Sequence, residues 1–395
     1  MAEKAKIRFN HSLYQLGQDS EFFLWNPIKQ EVIPSYKYFE PRDIAKKICQ
    51  TNQAKHILGD ISYVRLKRKY NSRPFTYTDS KTPLIFRDGL AVEVNTNPTN
   101  CRAFLFNGVR YALLLSEPWS RVSKERTYTS RPWVEVSQKL MNSFPEDLKV
   151  LGCSPSLDAY EEREKTVSVD PLKTFFRTSG SHLHMSFYPK TVPPDTHWGP
   201  FIRLADLLIG VPFTYIFRDE LEFKRRKLYG QAGEFRFQNY SEVTKGLEYR
   251  VLSSRLWDHT AVASLFLGIW KFGFGNEEIL NRWWQKYDPA WEDDIRLAIN
   301  TGDEKALDAM MVHAMDFLRE FGNSYNMKFS YSAETNLHMF KLFREANLRG
   351  DFKDAGIYND LALGDAHVGF SEWLSRWNNR KFMEQQNANR VSIGV

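Results

Sequence analysis

The chain has 395 residues, of which 42% are hydrophobic and 26% are charged, and its formal net charge is +6. This length favours two or three structural units, and the apolar content excludes a disordered chain. The mild positive charge permits anionic partners such as nucleotides without requiring nucleic acid.

Membrane and secretory classes are also excluded by the sequence pattern. No apolar stretch reaches the ~18 residues that a membrane helix requires, and the N-terminal residues lack the apolar core of a signal peptide. The three cysteines, Cys49, Cys101 and Cys153, show no paired CxxC spacing, which suits a reducing compartment. We therefore expect a cytoplasmic protein with no membrane partner.

The first part of the chain predicts strands separated by a polar insertion. The apolar run FFLW, followed by Asn26-Pro27, predicts a strand and a hairpin. Residues 36–80 are polar and basic and show little periodicity. Residues 83–98 predict one further strand, with alternation from Leu90 to Asn95, and residues 101–117 predict a helix.

The middle of the chain continues this strand-rich pattern. Strands are predicted in the segments LKVLGCSPS (148–156), FFRTSGSHLHMSF (175–187), GEFRFQ (233–238) and GLEYRVLSS (246–254). Between them, residues 199–213 have a helical apolar pattern that ends at Pro212.

The last third of the chain changes character. Apolar residues recur with helical period in segments 259–272, 276–286, 304–321 and 332–346. Strands followed by helices predict an α+β fold. We expect a sheet region over residues 1–256, including the basic insertion, and a helical region over 257–395 packed on it.

Ionisable residues recur at a spacing of two inside four predicted strands. Side chains on a strand alternate with period two, so each pair projects from one face of a sheet. A solvated sheet face would give the same pattern for any single pair. The pairs are Asp19 and Glu21, His182 and His184, Glu234 and Arg236, and Glu248 and Arg250.

If these faces meet, several carboxylates lie together and their charges must be neutralised. Two like charges about 4 Å apart repel by roughly 4 kcal/mol at an effective dielectric of about 20. Neighbouring arginines are one source of compensation, and bound Mg²⁺ or Mn²⁺ is the other, because carboxylates with one imidazole suit these ions. Glu93, between two valines, is a further candidate for a buried carboxylate.

Six motifs follow one another along residues 16 to about 270. Four of them, GQDSEFFL (17–24), AVEVN (91–95), SGSHLHMS (179–186) and KGLEYRVLSS (245–254), resemble in this order the motifs of glutamine synthetase and γ-glutamylcysteine ligase. The other two, LGCSPSLDAY (151–160) and RRKLYGQAGEFRF (225–237), make the resemblance closer to the phage-type carboxylate-amine ligases, or amidoligases (COOH-NH2 ligase type 2), of that superfamily.

The resemblance implies a mainly antiparallel glutamine-synthetase-like catalytic sheet with flanking helices, and it implies a role for each matching residue. One metal ion would lie among Asp19, His182 and Glu248, and a second would be held by Glu21 and Glu93. Nucleotide contacts are implied for His184 and Ser186. Arg236, with Arg225 or Arg226, would steady the transferring phosphate, and Arg250 would stabilise the phosphorylated intermediate.

Two positions depart from the family pattern. Asp19 stands where the best-known synthetases have a glutamate, and the Glu93 strand offers one clear acid where they have two. Asp88 could be the second acid. At five residues from Glu93 on one strand, however, it would face the opposite side unless a bulge intervened.

The resemblance implies an ATP-dependent ligase that joins a carboxylate to an amine through an acyl phosphate, with Mg²⁺ or Mn²⁺ as cofactor. The enzyme would be phage-encoded and would work in the host cytoplasm. Nothing in the sequence identifies the acid or the amine, so a small amino acid, a peptide or protein, and a modified nucleobase stay open. The alternatives are a γ-phosphotransferase of the guanido-kinase type and a non-catalytic phage protein that keeps the fold.

Overall fold

The computed structural model describes most of the sheet and the helices that pack on it. It describes residues 15–39, 85–96, 125–149, 156–165, 174–187, 198–241, 244–324 and 333–349, with the single residues 4, 7, 99, 105, 108, 109, 112, 113 and 116. Most of the basic insertion at 36–80, most of the predicted helix at 101–117 and all three cysteines lie outside these residues.

Ten strands form one large sheet, and two more form a separate pair. The large sheet has the order β3-β4-β1-β10-β12-β11-β7-β8, with β2 and β5 also paired to β1, while β6 pairs with β9. The strands are β1 Gln15–Asn26, β2 Glu31–Ile33, β3 Ile85–Asp88, β4 Ala91–Asn95, β5 Thr127–Thr129, β6 Trp133–Glu135, β7 Ser156–Asp158, β8 Arg163–Lys165, β9 Phe176–Thr178, β10 Ser181–Phe187, β11 Glu234–Ser241 and β12 Thr244–Tyr249.

The helices follow the strands in the pattern expected of an α+β fold. They are α1 Gln138–Asn142, α2 Glu146–Lys149, α3 Trp198–Ala205, α4 Val211–Ile216, α5 Glu220–Arg226, α6 Thr260–Ile269, α7 Glu277–Lys286, α8 Glu292–Thr301, α9 Glu304–Ser324 and α10 Ala333–Arg349. The α+β class and the antiparallel sheet are therefore confirmed. The four predicted C-terminal helices are present as α6, α7, α9 and α10, whereas α8 was not predicted. The division of the chain at residue 256 stays a prediction.

Strand β1 holds the sheet together because it pairs with four other strands. Its first half pairs with β10 and its centre with β4, while β5 and β2 pair with its last residues. Its side chains alternate, so Leu16 and Phe22 are buried in the main core while Asp19 and Glu21 project from the other face. This alternation separates an apolar face from a polar face across the sheet.

The two faces of the sheet are covered differently. The main core includes Leu183 and Leu247 from the sheet and residues of α3, α4, α6, α8 and α9. On the polar face, beyond the acidic residues, a smaller core joins Phe23 and Trp25 to Val134 on β6 and to residues of α1 and α2. Strand β6 and these two short helices thus cover part of the polar face.

Residues 83–98 do not form the single strand that the alternation predicted. They contain a hairpin in which β3 pairs with β4 in antiparallel register. The turn falls at Gly89, whose φ of 54° lies in the left-handed region that glycine favours. The Asp88-Gly89 dipeptide is a hairpin signal that outweighs the apolar run around it.

The strand predicted over LKVLGCSPS is also wrong for its described residues. Leu148 and Lys149 lie in α2, and β7 begins only at Ser156. The three apolar residues of this run were too few to distinguish a strand from a buried helical turn.

The helix predicted over 199–213 does not end at Pro212. Asp206–Gly210 forms a π-helical turn, and the chain continues as α4 to Ile216. Proline has no N–H to donate to the preceding turn, so a wider turn just before Pro212 lets the helix continue. The Thr214 hydroxyl donates to the Gly210 carbonyl at 2.8 Å within this segment.

This helical stretch, Trp198–Ile216, is long and apolar enough to cross a membrane when judged by length and composition alone. It is the one such candidate among the described residues, and 83% of it is buried inside the fold. Burial of this extent is typical of the core helix of a folded domain.

The π-helical turn carries a buried acid that joins the helix to the sheet. Asp206 accepts hydrogen bonds from the Tyr249 hydroxyl at 2.7 Å and from the Gly233 N–H at 2.6 Å. Burial raises its pKa from 3.8 to about 7, although hydrogen bonds from Tyr249, Tyr160 and Gly233 act in the opposite direction. Between the unfolded pKa of 3.8 and the folded pKa of about 7, the folded chain therefore keeps a proton on Asp206 that the unfolded chain releases.

We predict that Asp206 contributes a pH-dependent term to stability. A raised carboxyl pKa gives stability that is complete below the unfolded pKa and is lost as the pH rises through about 7. Asp206→Asn removes this titration, so the difference in unfolding free energy between the native chain and the variant should be larger at about pH 5 than at about pH 8. Urea unfolding in EDTA measures both values, and an equal difference at the two pH values would contradict the prediction.

Candidate active site

Five neighbouring strands place ionisable side chains in a band across the polar face of the sheet. Asp19 on β1 lies opposite His182 on β10, and His184 lies opposite Glu248 on β12. Glu248 in turn lies opposite Arg236 on β11. On the other side of β1, Glu21 lies opposite Glu93 on β4. Residues far apart in sequence therefore meet because the strands are in this register.

The first cluster consists of Asp19, His182 and Glu248. The His182 Nδ1 atom lies 2.8 Å from Asp19 Oδ1 and 3.1 Å from Glu248 Oε1. Both oxygens are buried, and neither has a hydrogen bond of good geometry among the described residues. Two oxygens and one nitrogen that face one another in this way form a donor set for a cation, and the three ligand atoms lie within 4.8 Å of one another.

Electrostatic coupling keeps the members of this cluster charged. Burial alone would lower the pKa of His182, but the charge and proximity of Asp19 and Glu248 raise it to about 9. Burial and the charge of Asp19 would raise the pKa of Glu248, but His182 and His184 lower it to about 2. The same two histidines outweigh burial at Asp19 and hold its pKa well below 3.8.

The second cluster consists of Glu21, Asp88 and Glu93. Their ligand atoms also lie within 4.8 Å of one another. Glu21 Oε2 accepts the Gly180 N–H at 2.7 Å, which connects this cluster to the turn before β10. None of the three acids has an ion-pair partner among the described residues.

The acids of the second cluster are compensated by protons in the cation-free chain. Burial raises the pKa of Glu21 to about 7, with the charge of His182 opposing this and that of Asp88 adding to it. Burial, together with the charges of Asp19, Asp88 and Glu21, raises the pKa of Glu93 well above 4.5. The two clusters thus differ, since basic side chains neutralise the first and protons neutralise the second.

The position of Asp88 corrects the expectation that it faces away from Glu93. Phe86 lies directly opposite Glu93 across the β3–β4 hairpin, and Asp88 follows Phe86 by two residues. Residues two apart on a strand share a face, so Asp88 and Glu93 project to the same side. Asp88 is thus the second acid beside Glu93, and the β3–β4 hairpin, not a bulge, brings it to the same face.

Both clusters fit a hard divalent cation by their donor chemistry. Carboxylate oxygens with at most one imidazole are the ligands of Mg²⁺ and Mn²⁺, whereas zinc sites favour thiolate and several imidazoles. The buried Asp19 and Glu248 oxygens, which accept no hydrogen bond from the described part of the chain, support the first position. The acids of the second cluster, which form no ion pair within that part of the chain, support the second position.

Two arginines border the first cluster on its β12 side. Arg236 binds Glu248 Oε2 through its Nε at 2.8 Å and its Nη2 at 2.6 Å. Arg250 Nε lies 3.1 Å from Glu248 Oε1, and its Nη1 donates to Ser156 Oγ at 2.9 Å. The Arg236 side chain is 31% exposed and that of Arg250 only 3%, so Arg236 is the more accessible to a ligand.

His184 and Ser186 lie on the same face as His182, as their spacing on β10 requires. His184 Nε2 is 3.0 Å from Asp19 Oδ2, and this side chain is 12% exposed. Ser186 is buried, and its hydroxyl lies 3.5 Å from the Gln15 carbonyl. The structure brings both to the band of ionisable residues, at the end where β10 pairs with the beginning of β1.

The structure does not bring Arg225 and Arg226 to this band. Both are fully buried, and Arg225 donates to the carbonyls of Val251 at 2.8 Å and Leu252 at 2.9 Å. Arg226 Nη1 donates to Thr214 Oγ1 at 2.8 Å, and its Nη2 lies 3.9 Å from the Glu222 carboxylate. This placement does not fit the phosphate contact implied by the resemblance, because their guanidinium groups are occupied inside the core.

Two further residues reach the site without having been singled out from the sequence. The Tyr229 hydroxyl lies 2.6 Å from His182 Nε2, and Gln238 Nε2 donates to Glu248 Oε2. Tyr229 stands inside the motif RRKLYGQAGEFRF, but an aromatic residue there is not distinguishable from a core residue by sequence pattern. Gln238 follows Arg236 by two residues, and this spacing was the signal that could have identified it.

We predict that cation binding at the second cluster releases protons. The Glu21 carboxyl has a pKa of about 7 and must lose its proton to act as a ligand. The apparent affinity for Mn²⁺ should therefore rise as the pH increases through about 7. Calorimetry in buffers of different ionisation enthalpy measures the proton release, and binding without release at about pH 6 would contradict the prediction.

We predict that Glu93→Gln weakens the second cation site without weakening the fold. Glu93 has a strongly raised pKa, so a neutral amide resembles its state in the cation-free chain. The unfolding midpoint in EDTA should be unchanged or higher, while Mn²⁺ titration should lose one class of site. Glu135→Gln, at an exposed position on β6, is the matched control and should bind Mn²⁺ like the native chain. A large loss of stability in Glu93→Gln would show a structural role instead.

Comparison with known proteins gives a family match and weak likenesses to solved structures. Among solved structures, a crystal structure described as that of a novel glutamine synthase homolog shares 13% identity with a TM-score of 0.33. It covers 78% of this chain, which spans 65% of that protein's length. This likeness is too weak to support a conclusion about activity. No curated protein matches the chain.

The family match covers the second half of the candidate site. Residues 164–345 match the model of the phage phiEco32-like COOH·NH2 ligases of type 2. His182, Arg236, Glu248 and Arg250 lie within the matched segment, whereas the acids of β1, β3 and β4 precede it. Residues 164–345 are thus similar in sequence to the carboxylate-amine ligases of this family, and the resemblance indicated by the motifs is confirmed.

Proposed function

We propose that this chain is an ATP-dependent carboxylate-amine ligase that forms an amide through an acyl phosphate. The observation that carries the proposal is the convergence of Asp19, His182 and Glu248 on one face of the sheet, with Arg236 and Arg250 bound to Glu248. The family match supports the ligase class. The dependence on ATP is inferred from the chemistry that such a site can perform.

A carboxylate needs activation before an amine can displace one of its oxygens. In the first step a carboxylate oxygen attacks the γ-phosphorus of ATP, the bond to the β-phosphate oxygen breaks, and ADP leaves. In the second step the amine nitrogen attacks the acyl carbon, the bond to the phosphate oxygen breaks, and inorganic phosphate leaves. The nitrogen loses a proton as the amide forms.

The two acidic clusters would bind divalent cations, with Asp19, His182 and Glu248 around one and Glu21, Asp88 and Glu93 around the other. These Mg²⁺ or Mn²⁺ ions would neutralise the phosphate charge and align the nucleotide. In the proposal, Glu248 also orients both arginines, because each binds one of its carboxylate oxygens.

The arginines have separate roles in the proposal because their exposure differs. Arg236 is partly exposed and would donate to the phosphate that is transferred. Arg250 is buried beside Glu248 and would stabilise the charge of the acyl phosphate. His184, which pairs with Asp19, and Ser186 would line the nucleotide side of the site. Arg225 and Arg226 are not assigned a contact with the phosphate.

We propose a phage-encoded enzyme that acts in the host cytoplasm on an acid and an amine still to be identified. A labelled assay tests the chemistry directly. An acid with an ¹⁸O-labelled carboxylate should transfer label to inorganic phosphate, and hydroxylamine in place of the amine should give a hydroxamate. A panel of amino acids, peptides and nucleobases, with mass spectrometry of the products, identifies the substrates. A stable phosphorylated product without amide would instead indicate a γ-phosphotransferase.

We predict that Glu248→Gln loses turnover by more than about 100-fold, since even the outer partners of metal ligands cost about 10- to 100-fold. Its pKa of about 2 shows that the folded chain stabilises its charge, so the variant should also unfold somewhat earlier. Turnover is therefore compared below the unfolding range of each variant.

Glu222→Gln is the matched control for this experiment. Glu222 is also fully buried, accepts a hydrogen bond from Ser253 and lies beside Arg226, but it is outside the band of ionisable residues. The folded fraction of this variant should keep the native turnover. Native turnover by folded Glu248→Gln would refute the assignment of Glu248 to the site.

A further inference from the structure

Tyr229 contacts the candidate site from the segment between α5 and β11. Its hydroxyl lies 2.6 Å from His182 Nε2, and the two rings meet edge to face with centroids 5.6 Å apart. Tyr229 is 8% exposed, so this hydrogen bond is shielded from solvent. The other nitrogen of the same imidazole is the atom that faces Asp19 and Glu248.

The aromatic ring of Tyr229 also lies close to two guanidinium groups. The Arg250 guanidinium lies 4.6 Å from the ring centroid and that of Arg225 lies 5.2 Å from it. Both distances are within the range of cation–π interactions. Tyr229 therefore contacts His182 through its hydroxyl and Arg250 through its ring.

The surrounding chain fixes Tyr229 in this position. Arg225 donates to the carbonyls of Val251 and Leu252, and these hydrogen bonds fix the Arg225 side chain beside the residues that follow β12. Gly230 follows Tyr229 with φ of 78°, and a Cβ atom there would lie 2.1 Å from Arg225 Nη1. The residue after Tyr229 must therefore be glycine for the chain to turn around Arg225.

A neutral imidazole carries one hydrogen, and the partner of one nitrogen decides which nitrogen is left with a lone pair. A hydroxyl oxygen at 2.6 Å can accept the hydrogen of Nε2. Nδ1 would then offer its lone pair toward Asp19 and Glu248, as a cation ligand requires. Outer partners of this kind orient ligating histidines in metal sites.

We propose that Tyr229 is a positioning residue that directs His182 Nδ1 toward the cation and holds Arg250 beside Glu248. The inference rests on the proposed cation site among Asp19, His182 and Glu248. The two contacts of Tyr229 are separable, because the hydroxyl serves the histidine and the ring serves the arginine. Two substitutions at this position therefore have different expected effects.

Tyr229→Phe removes the hydroxyl and keeps the ring. We expect the affinity for Mn²⁺ to fall by about 10- to 100-fold, the usual effect of losing the outer partner of a ligating histidine. Tyr229→Leu also removes the ring and should in addition lower kcat at saturating Mn²⁺, whereas Tyr229→Phe should regain most of its kcat there. Mn²⁺ titration followed by paramagnetic resonance or calorimetry measures the affinity without requiring turnover.

Tyr128→Phe is the matched control. Tyr128 is also buried, and its hydroxyl donates to Ser116 Oγ at 2.7 Å in the main core, on the opposite face of the sheet. This variant also loses a buried hydrogen bond, but its Mn²⁺ affinity should match that of the native chain. Equal Mn²⁺ affinity in native chain and Tyr229→Phe would overturn the inference, and equal weakening in both variants would overturn it as well.

A second measurement uses the native chain and does not depend on a variant that folds. Nitrogen NMR of the His182 ring with Mg²⁺ bound should show hydrogen on Nε2 and none on Nδ1, and the reverse assignment would overturn the inference. Absence of Mg²⁺ and Mn²⁺ binding in the native chain would instead refute the cation site of the proposed function. The two failures are thus distinguishable.

Discussion

The crowding of carboxylates on the polar face of the sheet is the constraint on which the rest of the site depends. Asp19 and Glu21 on β1 lie next to acids from β3, β4 and β12, although like charges placed opposite one another are destabilising. The chain compensates them in two ways. Two histidines and two arginines neutralise the side toward β12, while raised pKa values keep protons on the side toward β4. Divalent cations suit such a site, because they can replace the protons that Glu21 and Glu93 hold in the cation-free chain.

This compensation of charge is possible because the apolar side chains and the ionisable side chains lie on opposite faces of one sheet. The apolar face is sealed by helices, and the buried Asp206 joins the π-helical turn of the long helix to Tyr249 on β12. On the polar face, the smaller core around Phe23 and Trp25 covers the part of the sheet beyond Glu21. The acids are thereby kept in a partly desolvated environment, where their interactions with cations are stronger than in water.

The β12 side of the site is supported by Arg225, a buried arginine that lies outside the band of ionisable residues. Arg225 donates to the backbone carbonyls of Arg250, Val251 and Leu252, and Tyr229 contacts both Arg225 and Arg250. Functional side chains on a strand need this kind of support to keep their positions.

The sequence by itself determined the α+β class, the four C-terminal helices with helical periodicity, and the face to which each site residue on β1, β10 and β12 projects. These follow from local periodicity, because residues two apart on a strand share a face wherever the strand is placed. Asp19, Glu21, His182 and Glu248 were identified in this way, and the order of the motifs indicated the ligase family.

Only the tertiary structure decided which strand faces meet, and which charged residues are buried in the core instead of lying in the site. Asp88 joins Glu93 because a hairpin turns at Gly89, a turn that the apolar alternation around it concealed. Arg225 and Arg226 lie away from the site because backbone carbonyls just after β12 and in α8 accept their hydrogens, and no sequence pattern reveals such long-range partners. Tyr229 reaches His182 for the same reason, since a contact between two segments depends on how both pack.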